Sequence, residues 1–245
     1  MGIPAVGARL SQAERPAGAG RGGRPSGGVG AVEVRPASAT VAGSIGIMGG
    51  TFDPIHVGHL AAAEEAREAI GVARILFVPA GEPPHKPERP VTAASHRVAM
   101  VERAIAGNPA FELSRVEVDR DGPSFTADTV EMLADAERRD GHEPDLTLIL
   151  SVESFHGLPG WHEPRRILNL CRLAVVPRGG FPTPERAWLA DQFRGVPVRV
   201  VFLDAPRLRL SGSEIRQRVA AGRSIRYLVP DAVIDYIGDH GLYTP

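Results

Sequence analysis

Short apolar runs alternate with helix-like stretches along most of this chain, and the alternation limits the folds that it can adopt. The apolar runs, the third of which alternates with polar residues, lie at 44–48, 74–80, 111–120, 145–150, 172–177 and 198–203. Helices are predicted at 58–70, 93–106, 126–139, 183–193, 212–222 and 230–240. Short apolar strands separated by helices are typical of a parallel sheet covered on both faces. The sequence therefore predicts a doubly wound α/β domain with a helical C-terminal portion.

The N-terminal segment differs from the rest of the chain in composition. Residues 1–43 are rich in glycine and proline, contain several arginines and lack the apolar stretch of a secretory signal. Such a composition buries too little apolar surface to fold. We predict a disordered tail over 1–43 and one folded domain over 44–245.

Composition excludes some classes of protein. The 245 residues are 43% hydrophobic and 23% charged, with a net charge of −1. The chain therefore has no net positive charge that would attract nucleic acid or an anionic membrane. No apolar stretch reaches the roughly 18 residues of a transmembrane helix. The single cysteine, Cys171, excludes an intramolecular disulfide. We expect a cytoplasmic protein that binds neither nucleic acid nor membrane, and the sequence leaves its oligomeric state open.

A loop rich in glycine and histidine, GIMGGTFDPIHVGH at 46–59, follows the first predicted strand. It matches neither the P-loop nor the dinucleotide fingerprint. Gly49 and Gly50 allow a ligand to approach the backbone, while Gly58 opens a helix whose first N–H groups are partially positive. His56 and His59 add imidazole donors beside that helix start. The loop therefore predicts a polyphosphate site at the carboxyl end of a strand, where such sheets bind ligands.

Two other interpretations of the histidines are zinc binding and core packing. Histidines three residues apart can share a metal, but no third ligand stands at a plausible spacing. Histidines at a helix start suit an anion better than a cation. We predict no metal site built from protein side chains.

Four other segments contain candidate ligand-binding residues, each with a simpler structural alternative. Ser211 and Ser213 open a predicted helix and Arg216 follows one turn later, so they suit a phosphate or an ordinary cap with a solvated arginine. Lys86 follows two prolines and His85 in a loop, where a lone lysine is typically a solvated surface charge. Arg97 is a weaker phosphate candidate. Trp161 is either a stacking platform or a half-buried core aromatic.

Six segments, in order, resemble the nucleotidylyltransferase superfamily and, within it, the bacterial nicotinate-nucleotide adenylyltransferases. They are GGTFDPIHVGH, PAGEPPHK (79–86), DRDGPSFTADTV (119–130), LPGWHE (158–163), LSGSEIR (210–216) and GRSIRYLVPDAVIDYI (222–237). The resemblance spans roughly 45–243 and implies a Rossmann-like fold.

The resemblance also implies a reaction, in which ATP and nicotinate mononucleotide give nicotinate adenine dinucleotide and pyrophosphate, with Mg²⁺ accompanying ATP. It assigns catalysis to His56, His59, Lys86 and Arg216. It assigns ATP binding to Gly49, Gly50, Thr51, Phe52, His56, Gly58, His59, Ser211, Ser213 and Arg216. It assigns the nicotinate nucleotide to Lys86, Thr126, Glu153, Trp161 and His162, with the ring carboxylate held by the backbone N–H groups of Thr126 and His162.

The chain departs from the family pattern at two places. Gly212 and Ser213 stand where a serine and a threonine are usual, so fewer hydroxyl donors are expected. Ser151-Val152-Glu153 replaces Gly-Ala-Asp, and we expect the Ser151 side chain to narrow the pocket. Two alternatives stay open: a related nucleotidylyltransferase with another phosphorylated acceptor, such as phosphopantetheine, or a nucleotide-binding regulator without turnover.

Overall fold

A six-stranded parallel sheet forms the centre of the molecule. The computed structural model describes residues 40–82, 91–177, 188, 191–205 and 208–245. The strands are β1 (Val41–Gly50), β2 (Val72–Pro79), β3 (Phe111–Leu113), β4 (Leu146–Ser151), β5 (Cys171–Val176) and β6 (Val200–Phe202). Their order is β3-β2-β1-β4-β5-β6, and all five pairings are parallel. This is the strand order of a Rossmann-like doubly wound sheet, which confirms the predicted fold class.

Seven α-helices lie in the described part of the chain. They are α1 (Val57–Ile70), α2 (Ala94–Ile105), α3 (Thr126–Arg139), α4 (Val152–Gly157), α5 (Pro164–Leu170), α6 (Gly212–Ala220) and α7 (Asp231–Asp239), with a 3₁₀ turn at Leu158–Gly160. Five of them match predicted helices with small differences at their ends. The predicted helix at 183–193 lies largely outside the described residues.

The core has two layers, one on each face of the sheet. One layer is built with apolar residues of α1, α2, α6 and α7: Ala63, Ala66, Ile70, Met100, Val101, Ile105, Ile215, Val233 and Ile237. The other is built with residues of α3, α4 and α5: Ala127, Val130, Ala134, Phe155, Ile167 and Leu168. Along β1, Ile45 and Ile47 face the second layer and Met48 faces the first, as the period of two in a strand requires. Both faces are therefore buried, which explains the continuously apolar strands.

The start of β1 differs from the sequence-based boundary. Residues 41–43, which we assigned to the tail, belong to the strand. The N–H of Val41 donates to the carbonyl of Gly71 at 3.0 Å. The Ser44 hydroxyl is fully buried, donates to the Val41 carbonyl at 2.6 Å and accepts from the N–H of Ala73 at 3.1 Å. The Val41 carbonyl therefore satisfies a buried hydroxyl, which ties the start of the strand to the core.

The segment predicted as a strand over 111–120 is a strand only at Phe111–Leu113. After the N–H of Ser114 bonds the Phe77 carbonyl at 2.9 Å, the chain leaves the sheet. It then crosses the end of β2 so closely that a Cβ on Gly81 would lie 2.3 Å from the Glu117 carbonyl oxygen.

Helices α4 and α5 were also not predicted, because they are short and lie in a stretch without clear periodicity.

Candidate active site

A cleft of about 560 Å³ lies at the carboxyl ends of β1 and β4. The strand order reverses between these two neighbours, and open α/β sheets bind ligands at such a switch point. The cleft wall includes the starts of α1, α3 and α6. It brings together most of the site residues predicted from the sequence: Gly49, Gly50, Thr51, Phe52, His56, Gly58, His59, Thr126, Trp161, His162, Ser211, Ser213 and Arg216.

The loop between β1 and α1 folds back over its own glycines. A Cβ on Gly50 would lie 3.0 Å from the Phe52 ring, and a Cβ on Gly58 would lie 3.0 Å from Nδ1 of His56. Phe52 has a φ of 50°, and its ring meets that of His59 edge to face with 5.0 Å between centroids. The glycines thus leave room for two rings to pack against the loop, and this packing places His59 in the cleft.

His56 and His59 shape the start of α1 together. The N–H of His56 donates to Nδ1 of His59 at 3.3 Å, and the two rings stack with 3.7 Å between centroids. Because Nδ1 accepts this bond, the proton of a neutral His59 ring lies on Nε2. An imidazole N–H donor therefore sits in the first turn of a helix, where the partial positive charge of the backbone favours an anion.

The start of α6 adds hydroxyl and guanidinium groups to the cleft. Oγ of Ser211 accepts from the N–H of Glu214 at 3.1 Å, so this serine caps the helix. Nη2 of Arg216 donates to Oγ of Ser213 at 3.2 Å, and Nη1 donates to the carbonyl of Asp53 at 2.5 Å. A guanidinium carries five N–H groups. These two bonds orient Arg216 without exhausting its capacity to bind a phosphate.

Asp53 is a central residue of this region that the sequence analysis did not single out. Its buried carboxylate accepts from the Tyr243 hydroxyl at 2.7 Å and from the N–H of Thr92 at 3.4 Å. Oδ2 of Asp53 also lies 3.6 Å from Nη1 of Arg216. The only signal for Asp53 in the sequence is its position inside the glycine–histidine loop.

A second part of the cleft wall is aromatic. The rings of Phe125 and His162 lie 4.2 Å apart between centroids, tilted by 31°. Trp161, the neighbour of His162 in the chain, is half-buried in the same wall. Helix α3 begins at Thr126, and the first N–H groups of a helix have no intrahelical acceptor. Flat apolar surfaces beside backbone donors suit a planar ring with an anionic substituent.

A buried carboxyl group that was also not predicted supports this aromatic wall. Oε1 of Glu117 accepts from the Thr129 hydroxyl at 2.7 Å. Burial raises the pKa of Glu117, and hydrogen bonds from the Thr129 and Ser124 hydroxyls oppose part of the rise. Oγ of Ser124 accepts from the N–H of Gly81 at 3.0 Å. These bonds hold the segment before α3 against the end of β2.

Arg97 has a structural role instead of the phosphate-binding role considered from the sequence. The residue is 2% exposed, and burial lowers the pKa of its guanidinium. Its three nitrogens donate to backbone carbonyls: Nε to Thr92 at 2.8 Å, Nη1 to Thr51 at 2.9 Å and Nη2 to Gly81 at 3.2 Å. Arg97 therefore ties the glycine–histidine loop to the end of β2.

The segment that departs from the family pattern, Ser151-Val152-Glu153, lies at the end of β4 and the start of α4. Ser151 lines the cleft, but its Oγ caps α4 by accepting from the N–H of Ser154 at 3.2 Å. Glu153 is exposed in the first turn of α4 and is not among the residues that line the cleft. Lys86 lies outside the described residues.

Within the described ranges, no group of three or more His, Cys, Asp or Glu side chains could hold a metal ion. Over the same ranges, none of the helices has both the length and the apolar character needed to cross a membrane. Cys171 is buried, and burial raises the pKa of its thiol to about 12. It therefore acts as an apolar core residue.

Comparisons with known proteins agree with the fold. Residues 47–218 match the family described as Cytidylyltransferase-like. A protein named probable nicotinate-nucleotide adenylyltransferase from Roseiflexus sp. (strain RS-1) is 49% identical over 199 residues, 81% of this chain and 97% of that protein. A protein of the same name from Thermomicrobium roseum is 46% identical over 202 residues, 81% of this chain and 91% of that protein.

A solved structure also resembles this one in fold. It is the Plasmodium falciparum nicotinic acid mononucleotide adenylyltransferase complexed with NaAD, which aligns with a TM-score of 0.66 and 18% identity. The alignment covers 82% of this chain and 97% of the other.

Proposed function

The chain belongs to the cytidylyltransferase-like family, and on that premise we propose that it is a nicotinate-nucleotide adenylyltransferase. It transfers the AMP moiety of ATP to nicotinate mononucleotide and releases pyrophosphate, a step of NAD biosynthesis. The observation that carries the proposal is the pairing, in one cleft, of anion donors at the starts of α1 and α6 with an aromatic wall at the start of α3. The two substrates need these two different surfaces.

The triphosphate of ATP lies on the first surface. His56, His59, Ser211, Ser213 and Arg216 supply N–H and O–H donors to its oxygens, and the glycine loop from Gly49 to Phe52 lies against the nucleotide. The acceptor phosphate attacks the α-phosphorus in line, the bond to the β-phosphate oxygen breaks, and pyrophosphate leaves. Catalysis then rests on positioning and on neutralising the charge that develops on the leaving group.

Mg²⁺ enters this reaction as part of the Mg–ATP substrate. The donors of the phosphate surface are imidazole, hydroxyl and guanidinium groups, which suit phosphate oxygens and not a cation. Mg²⁺ usually keeps several waters and binds substrate phosphates, so we assign it to the triphosphate. Because the reaction consumes ATP, a cytoplasmic metabolite, we also assign the chain to the cytoplasm.

Nicotinate mononucleotide lies on the second surface. Its ring stacks on Trp161 and His162, and its carboxylate accepts from the backbone N–H groups at Thr126 and His162. Glu153 and Lys86 retain their predicted roles near this substrate as part of the proposal. Because Glu153 is exposed, we assign the choice between a carboxylate and a carboxamide on the ring to the backbone N–H donors and not to Glu153.

The test compares three acceptors with Mg–ATP: nicotinate mononucleotide, nicotinamide mononucleotide and phosphopantetheine, with pyrophosphate release as the measurement. The carboxamide of nicotinamide mononucleotide would place its NH₂ group against one of the backbone N–H donors. That buried donor would then have no acceptor, which costs about 1–3 kcal/mol. We expect kcat/KM to favour nicotinate mononucleotide over the nicotinamide compound by about 5- to 150-fold. Preference for phosphopantetheine would point to another transferase, and binding without pyrophosphate release would point to a regulator.

A further inference from the structure

The chain near its C-terminal end reaches back to the phosphate surface of the cleft. Tyr243 lies beyond α7 with a φ of 64°, a conformation unfavourable for a bulky side chain. Its hydroxyl donates to Oδ1 of Asp53 at 2.7 Å, across 190 residues of sequence. Burial raises the pKa of Tyr243, so the hydroxyl stays protonated and remains a donor. Its ring packs against the core layer formed with α1, α2, α6 and α7.

Asp53 connects this hydroxyl to Arg216 in two ways. Its carbonyl accepts from Nη1 of Arg216 at 2.5 Å, and its Oδ2 lies 3.6 Å from the same nitrogen. The carbonyl also approaches α6 so closely that a Cβ on Gly212 would lie 2.5 Å from it. Any shift of Asp53 is therefore transmitted to the start of α6 and to Arg216.

We propose that Tyr243 is a positioning residue for the triphosphate: by holding the Asp53 carboxylate, it keeps Arg216 available to the phosphates. This inference rests on the proposed function. The carboxylate accepts from the Tyr243 hydroxyl at Oδ1 and from the Thr92 N–H at Oδ2, and Oδ2 also lies 3.6 Å from the guanidinium of Arg216. Without the hydroxyl, the carboxylate turns toward Arg216 and forms a full ion pair with it. The guanidinium is then neutralised by a buried anion and binds phosphate less well.

The role of the hydroxyl can be separated from that of the ring with a matched pair of variants. Tyr243→Phe removes only the hydroxyl that meets Asp53. Tyr236→Phe is the control, because the hydroxyl of Tyr236 meets Nδ1 of His96 at 2.9 Å and does not contact the cleft. Both tyrosines pack against the same core layer. Thermal unfolding of the two variants reports any general loss of structure.

The measurement is the Kd for an α,β-methylene analogue of ATP by calorimetry, together with the KM of each substrate. The expected loss is that of a charge-assisted bond between Arg216 and a phosphate, which weakens when the Asp53 carboxylate pairs with the guanidinium. We expect Tyr243→Phe to raise the Kd and the KM for ATP by about tenfold or more. The KM for nicotinate mononucleotide should stay near the wild-type value, and Tyr236→Phe should leave every value near wild type.

A second comparison tests whether the effect passes through the carboxylate. In an Asp53→Asn background the side chain at position 53 carries no charge to pair with Arg216, so adding Tyr243→Phe should change the Kd for the ATP analogue by far less than tenfold. An equal effect of Tyr243→Phe in both backgrounds would overturn the proposal. So would an unchanged Kd for Tyr243→Phe when the wild-type protein is active. A wild-type protein that binds the analogue but does not convert nicotinate mononucleotide would instead overturn the proposed function alone.

Discussion

Single residues in the cleft divide into those that face a ligand and those that hold the wall in place. His59 and Arg216 present N–H donors to the cleft, whereas Arg97, Asp53 and Glu117 are buried and bond to protein atoms. Residues of the first kind should affect turnover with little effect on stability. Residues of the second kind should affect stability or the positions of other groups.

The substitution His59→Ala tests the first kind. It removes a preorganised donor to the charge that develops on the triphosphate, so we expect turnover to fall by roughly 100- to 1,000-fold. The melting temperature should change little. His142→Ala, which alters an exposed histidine outside the cleft, is the control. A His59→Ala enzyme with near wild-type turnover would show that His59 takes no part in the reaction.

The substitution Glu117→Gln tests a residue that holds the cleft wall in place, through the pH dependence of protein stability. Burial raises the pKa of Glu117 in the folded protein, although Arg120 and Arg97 oppose part of the rise. The folded state therefore binds the proton of Glu117 more tightly than the unfolded state does, and this difference stabilises the fold when the group is protonated. The stabilisation is fully present below the unfolded pKa of about 4.3, and it is lost as the pH rises through the folded pKa. A glutamine stays neutral and shows no such loss.

We therefore expect the unfolding free energy of Glu117→Gln, minus that of the wild type, to increase between about pH 4 and pH 7. Urea unfolding of both proteins at several pH values measures this difference in unfolding free energy. The exposed Glu143 gives a control variant, Glu143→Gln. A difference that stays constant with pH would contradict a raised pKa at Glu117.

At the scale of elements, three helices begin at one cleft. Helices α1 and α6 bring backbone N–H groups to the phosphate surface, and α3 brings them to the aromatic wall. The loops before α1 and α3 pack tightly on neighbouring elements, the first on α6 and the second on the end of β2. The distance between the loop after β1 and α6 should therefore affect ligand binding as much as the N–H donors of these helices do.

Restoring the usual serine at Gly212 should weaken ATP binding. A Cβ there would lie 2.5 Å from the Asp53 carbonyl, so either α6 or the loop must move. We expect Gly212→Ala and Gly212→Ser to raise the KM for ATP by similar factors, because the added Cβ is common to both. Steady-state kinetics measures this. A Gly212→Ser enzyme that binds ATP more tightly than wild type would show that the missing hydroxyl limits the site.

At the scale of the molecule, the sheet sets where the folded unit begins. Residues 1–39 are rich in glycine and proline, and we propose that they contribute little to folding or catalysis. The strand itself starts at Val41, three residues before the boundary that the sequence predicts.

Two deletions distinguish these regions. Removal of residues 1–39 should leave the melting temperature and activity nearly unchanged. Removal of residues 1–43 takes away the Val41 carbonyl that accepts from the buried Ser44 hydroxyl, and an unsatisfied buried group costs about 1–3 kcal/mol. We expect a lower melting temperature for the longer deletion only. Equal melting temperatures for the two shortened proteins would place the start of the folded unit after residue 43.

The sequence by itself determined the features that depend on neighbouring residues. Strands and helices follow from local periodicity, which is why the fold class and five helices were predicted. The glycines and histidines of the loop after β1 are contiguous, so their common location at one helix start could be inferred. Thr126 and His162 were assigned to the site by resemblance, because each lies in a recognisable segment.

Only the tertiary structure decided which charged groups are buried and what they bond. Arg97 is separated by 46 residues from its acceptor Thr51, and Tyr243 by 190 residues from Asp53. No local pattern distinguishes Arg97, a buried cation on three carbonyls, from a surface arginine. Burial and hydrogen bonding arise when distant segments pack together, and they determine whether a charge binds substrate or supports the site.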